Sequence, residues 1–136
     1  MPYVRFESAA PGPRGSHAGL FALANGLARA GRLSAEDWAW WRTHNDWYER
    51  ELPNPATADP TLFDRAVNPF ASSWFKAAAG EVLQRTAGYL ELLDRYGVPW
   101  RRRRSANPGE IRYEDAFQIV VVPNSAADEF GRRFHV

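Results

Sequence analysis

The sequence predicts an α+β domain, with three main helices packed on one face of a small antiparallel sheet of three to four strands. Two observations carry this. Apolar residues recur at helical spacing over residues 18–30, 34–52 and 72–96. Short alternating or continuously apolar runs, at residues 3–7, 98–104 and 111–122, flank the helices instead of alternating with them. Strands gathered at the two ends of a helical segment suit an antiparallel sheet covered by helices, with the first strand pairing with the last. The 136 residues are the size of one domain. Residues 1–123 read as that compact domain, and residues 124–136 as a polar tail in which Phe130 and Phe134 would be anchors.

Tyr3-Val4-Arg5-Phe6-Glu7 alternates apolar and polar, as a strand does. A loop with Pro11, Gly12, Pro13, Gly15 and Gly19 follows, with Ser16 placed to cap the next helix. Leu20, Leu23 and Leu27 define one face of that helix, and Gly31 suits its end. Ser34 caps a second helix, with Asp37 at capping-box spacing, and Pro53 stops it after Leu52. Residues 53–70 hold four prolines and read as a loop with one helical turn near 61–66. Phe75, Ala79, Val82, Thr86, Leu90 and Leu93 predict a third helix ending at Gly97, with Gly88 as a possible kink. Asn107-Pro108-Gly109 is a turn signal between two strand runs, and the apolar stretch from Ile119 to Val122 predicts a central strand.

Composition narrows the function classes. With no cysteine, disulfides, thiolate metal ligands and a thiol nucleophile are excluded. Three histidines scattered along the chain predict no metal site. The net charge of +1 gives no global pull toward nucleic acid or membrane. No apolar run of signal or membrane-span length occurs, so a cytoplasmic location is expected. Lys76 is the only lysine among 17 basic residues. That arginine bias suits a GC-rich coding sequence and a bacterial source.

The aromatic content is 14%, with six tryptophans. Four of them, Trp38, Trp40, Trp41 and Trp47, fall on the helix at 34–52. On the helical wheel Trp38, Trp41, Asn45, Tyr48 and Leu52 share one stripe, while Trp40, His44, Trp47 and Glu51 share the next. The first stripe suits core. In the second, Trp40 and Trp47 flank His44 and form a surface for a flat or cationic ligand, with His44 as a candidate general base. The plainer reading is that the whole aromatic face packs inward.

Other candidate groups are more scattered. In the loop Gly12–Gly19, glycine backbone with Arg14, Ser16 and His17 could hold an anion, although the spacing matches neither dinucleotide nor P-loop fingerprints. Lys76 follows Trp74 and Phe75, where an aromatic setting would suit a reactive amine; a solvated lysine is the alternative. Glu114 and Asp115 are carboxylates in the last sheet segment, and one could pair with Arg5 or Lys76. Arg101–Arg104, beginning after Trp100, resembles the basic and aromatic surfaces that hold single-stranded nucleic acid. Strand alternation leaves only Arg101 and Arg103 on one side, and Glu110, Glu114 and Asp115 would serve as cross-strand counter-charges.

Three functions follow. The first is a small accessory protein that binds a ligand or partner through the aromatic helix. The second is a small enzyme using His44, Lys76, Glu114 or Asp115 and the Gly12–Gly19 loop. The third is a nucleic-acid binder using Trp100, Arg101 and Arg103. No motif set names a family, and the sequence leaves any cofactor unknown.

Overall fold

The computed structural model describes residues 2–124. The polar tail, with Phe130 and Phe134, lies outside these residues apart from Asn124. In chain order the elements are β1 (Tyr3–Ser8), α1 (Leu20–Arg29), α2 (Ala35–Glu51), α3 (Pro55–Ala58), β2 (Ser72–Lys76), α4 (Glu81–Gln84), α5 (Thr86–Arg95), β3 (Trp100–Ser105), β4 (Gly109–Glu114) and β5 (Gln118–Pro123). The chain is α+β, and its antiparallel sheet has five strands in the order β3-β1-β2-β5-β4. That is one strand more than the three to four expected.

The extra strand is β2, and it corrects the helix expected over 72–96. Trp74 and Phe75 favour a pleated surface, and strands on both sides satisfy the backbone of this segment. Gly80, with φ +60 and ψ −126, turns the chain through a conformation that side-chain-bearing residues avoid. Helix then resumes as the short α4 and as α5. The apolar spacing that suggested one helix therefore spans a strand, a turn and two helices. Because β2 lies between β1 and β5, the first strand does not pair with the last.

The fold divides into two compact units. A helical unit comprises Arg5–Pro53 and Gly80–Arg103, and a sheet unit takes the described parts of Met1–Val4, Asn54–Ala79 and Arg104–Val136.

In the helical unit, Leu20, Ala24 and Leu27 of α1 are buried, as are Thr86, Tyr89, Leu92 and Leu93 of α5. Their shared core is aromatic. Phe21 meets Tyr48 and Tyr89 edge-on, with ring centroids 4.8 and 5.2 Å apart, and Trp40 meets Tyr89 at 5.1 Å. Such edge contacts add to the effect of area burial. The Tyr48 hydroxyl donates to the Val82 carbonyl at 2.7 Å, and the Tyr89 hydroxyl donates to Asn45. Burial pushes both phenols well above the usual tyrosine range. Asn25 of α1 accepts from the Trp41 indole at 3.0 Å and from the Asn45 amide at 2.9 Å. The polar edges of α1, α2 and α5 are thus linked to one another.

Trp41 and Tyr48 make the inward contacts expected of their stripe, but Trp38 stays 48% exposed and does not join the core. Ser34 caps α2 as expected, its Oγ accepting from the Asp37 amide at 3.1 Å. Ser16 does not cap α1. Gly19 occupies that position, and Ser16 instead closes a turn in which its carbonyl accepts from the Gly12 amide at 2.8 Å.

In the sheet unit, β2 pairs with β5 from Ser72↔Val121 to Phe75↔Gln118, and β5 pairs with β4 on its other side. Ile119, Val120 and Val121 are fully buried, as expected of a central strand. Trp74, Ile119 and Val121 form a core with Tyr3 packed against it. Gly109 lies so close to β5 that an added Cβ would sit 2.2 Å from the Val122 carbonyl oxygen. The helical turn expected near 61–66 is instead α3, four residues at Pro55–Ala58 capped by Asn54.

Candidate functional site

The second aromatic stripe of α2 lies against α5 within the helical unit. His44 stacks on Trp40 with ring centroids 4.1 Å apart and 24° between planes. This follows from their i,i+4 spacing, which sets one ring over the other. The His44 Nδ1 atom is buried and has no hydrogen-bond partner among the described residues. Desolvation, reinforced by the Arg85 charge, lowers its pKa, which favours a neutral imidazole. Trp47 carries the Arg85 guanidinium over its ring at 4.0 Å and meets Tyr48 edge-on. A cation from the chain itself therefore occupies the Trp47 surface.

Trp40 also lines a cleft of about 360 Å³ with Ser34, Asp37, Gly88, Glu91 and Arg95; Glu36 and Leu92 complete it. This volume is at the lower end of those that hold small ligands. Gly88 is what allows the wall to form. A Cβ there would lie 2.4 Å from Cζ2 of Trp40, so only glycine admits the indole against α5 at this spacing. Gly88 is thus a packing position within a continuous helix, not a kink.

The rim beside the indole is polar and organised. The Tyr96 hydroxyl accepts from the Ser34 amide at 2.8 Å and donates to Asp37 Oδ2 at 2.7 Å. It takes the place of the reciprocal arm of a capping box and ties the start of α2 to the end of α5. Arg95 reaches Asp37 Oδ1 at 2.6 Å. Glu36, Asp37 and Glu91 thus face one arginine around the cleft.

A second constellation gathers on β1 of the same unit. Glu7 is 2% exposed. Arg5 Nε donates to its Oε1 at 2.7 Å, and Arg101 donates to its Oε2 through Nε at 2.8 Å, with Nη2 at 2.6 Å. Arg103 Nη1 stands 3.7 Å from the same oxygen. Burial alone would raise the Glu7 carboxyl. Hydrogen bonds from Arg101 and Arg5, with the charges of Arg5 and Arg103, outweigh it and hold the pKa below 4.5. His17 Nδ1 bonds the Ser8 carbonyl at 2.8 Å, and its Nε2 lies 3.3 Å from Arg101 Nη2. The Gly12–Gly19 loop thereby meets the arginine run. Arg14 lies in the Gly12–Ser16 turn of that loop.

This placement corrects the expected charge ladder. In the sheet, β3 neighbours β1 while β4 neighbours β5, so Glu110, Glu114 and Asp115 do not lie across from Arg101 and Arg103. A buried carboxylate needs cations more than exposed ones do, and Glu7 takes them. Trp100 packs edge-on against Phe6 at 6.1 Å, and its indole donates to Asp94 at 2.8 Å. Strand alternation turns both rings away from the face that carries Glu7 and Arg101.

The remaining candidates belong to the sheet unit. Lys76 Nζ pairs with Glu114 at 2.6 Å. Asp115 organises the turn between β4 and β5. It accepts from the Tyr113 hydroxyl at 2.7 Å, the Phe117 amide at 2.8 Å and the Gln118 side chain at 3.0 Å. Burial works to raise its pKa, but these donors prevail and lower it. The Asp115 bond pushes the Tyr113 phenol up to about 12. The proposed catalytic set is therefore distributed: His44 and the glycine loop are in the helical unit, and Lys76, Glu114 and Asp115 are in the sheet unit.

Several residues that shape these sites had other sequence readings or none. Asp37 read as a capping residue, Gly88 as a kink and Glu7 as the polar side of a strand. Glu91 and Arg95 lie about fifty residues beyond Trp40 with no local pattern linking them to it. No helix among the described residues is long and apolar enough to cross a membrane. No protein-family model, curated protein or solved structure matches the chain.

Proposed function

We propose that the protein is a cytoplasmic accessory protein that binds a ligand or partner, and that its site is the cleft between α2 and α5. One observation carries this reading: the cleft combines the indole of Trp40 with three carboxylates and one arginine. An aromatic ring and excess negative charge together favour an alkylammonium or guanidinium group. The same group heads lysine and arginine side chains, so a basic segment of a partner protein meets the same chemistry as a small cation. Desolvation by the ring strengthens the attraction of the carboxylates. Catalysis is the weaker reading, because Lys76 is paired with Glu114 and Asp115 is committed to its turn.

Calorimetric titration with agmatine, a guanidinium probe, tests the proposal. Saturable binding is expected, weakened about tenfold by Trp40→Ala or by Glu91→Gln, with circular dichroism unchanged. A neutral urea of the same length should not bind. Equal binding of the neutral analogue, or full binding by both variants, would refute the proposal.

A further inference from the structure

Of the described residues that line the cleft, Arg95 alone is positively charged. Its Nη1 donates to Asp37 Oδ1 at 2.6 Å, and Asp37 is its one polar partner among the described residues. A guanidinium carries five N–H donors, so most of the fork, Nε and Nη2 included, stays open. The Arg95 side chain is 56% exposed, while that of Asp37 is 15% exposed. Asp37 is itself fixed. Its Oδ2 accepts from the Tyr96 hydroxyl at 2.7 Å, and it stands in the first turn of α2, where the helix dipole favours an anion. Both of its oxygens are engaged. The carboxylates left to meet a ligand's cation are Glu36 and Glu91, neither of which has an ion pair among the described residues.

Spacing along α5 separates the two ends of the cleft. Gly88, Glu91 and Arg95 follow at i, i+3 and i+7, which is one face of the helix. At 1.5 Å per residue, the Trp40 contact at Gly88 and the Arg95 backbone lie about 10 Å apart along the axis. Long helical side chains lean back toward the N-terminus, so the Arg95 guanidinium shortens that span. A guanidinium and a carboxylate at the ends of an extended six-bond chain are roughly 7 Å apart. Given the cation-binding cleft proposed above, we infer that Arg95 anchors a carboxylate, and that the ligand is a free cationic amino acid of the arginine class. The ligand's guanidinium meets Trp40 and Glu91, and its α-carboxylate takes the open edge of the Arg95 fork. Such forks match carboxylates with two parallel hydrogen bonds. Arg95 is already oriented by Asp37, so it loses less side-chain freedom on binding than a mobile arginine. An arginine inside a polypeptide lacks the carboxylate, so the anchor favours the free amino acid over an internal segment of a partner.

Calorimetry with L-arginine, argininamide and agmatine tests the anchor. Argininamide keeps the guanidinium and the α-amine but replaces the carboxylate with a neutral amide. Arginine should bind about tenfold tighter than argininamide to the native protein, a comparison that needs no variant to fold. In Arg95→Gln, with circular dichroism unchanged, that preference should vanish. The anchor is overturned if arginine binds the native protein no tighter than argininamide does, or if the preference survives in Arg95→Gln. It is overturned as well if Arg95→Gln tightens arginine, which would make Arg95 a competitor for Asp37 and not an anchor. Agmatine separates the two levels. Agmatine binding without a preference for arginine over argininamide defeats the anchor alone, whereas failure of both agmatine and arginine to bind defeats the cation cleft and the anchor with it.

Discussion

Replacing Gly88 with alanine probes the wall of the cleft directly. The added Cβ would stand 2.4 Å from Cζ2 and 3.0 Å from Cη2 of Trp40, well inside the carbon–carbon contact distance of about 3.5–4.0 Å. The indole must therefore retreat by about 1 Å. It is stacked on His44 and meets Tyr89 edge-on, so little room is open to it. Overpacking of this kind costs about 1–3 kcal/mol. Alanine in a helix interior returns about 1 kcal/mol through propensity. The balance for Gly88→Ala is a net loss of about 0–2 kcal/mol, read from urea denaturation followed by circular dichroism. In a Trp40→Ala background the clash is gone, and the same substitution should stabilise the protein by about 1 kcal/mol. This change of sign is the diagnostic. A stabilised Gly88→Ala in the native background would show that the indole does not rest on Gly88, and the cleft would lose its wall.

Other expectations follow from the same geometry. Glu7 titrates below its ordinary value in the fold, so the stability it contributes is present above pH 4.5 and is lost as pH falls through the lowered value. Glu7→Gln should flatten that acid limb in urea midpoints measured from pH 6 to 3, and should lower stability at pH 7 by about 2–4 kcal/mol by leaving the half-buried Arg5 and its neighbours without their anion. Ultraviolet titration should find one phenol, Tyr113, near 12, moving toward 10 in Asp115→Asn. Gly109→Ala should cost about 3 kcal/mol in thermal or urea unfolding, because its Cβ meets backbone that cannot rotate away.

What the sequence made legible was local. Ser34 announced the start of α2, and the bond to the Asp37 amide follows from it. The apolar run of β5 marked a central strand, because successive side chains point to opposite faces and Ile119, Val120 and Val121 are all buried. Residues 72–96 misled because Phe75, Ala79 and Val82 keep helical spacing across the turn at Gly80, and spacing alone does not reveal a backbone reversal. The same boundary applies to the sites. Trp40 and His44 stood out through i,i+4 spacing, as did the arginines through adjacency. Glu91 and Gly88 reach Trp40, and Glu7 reaches Arg101, only through tertiary packing. Glu7 also illustrates how binary patterning fails: an acidic residue on a strand reads as solvent-facing unless the cations that bury it are known.

The most direct measurement is the indole region of a ¹⁵N-correlated NMR spectrum recorded during agmatine titration. The six tryptophans give six indole signals, assignable by single substitutions. The Trp40 signal should move most and saturate with the calorimetric affinity, while Trp74 and Trp100 stay fixed. A Trp40 signal that does not move while agmatine binds would contradict the cleft reading.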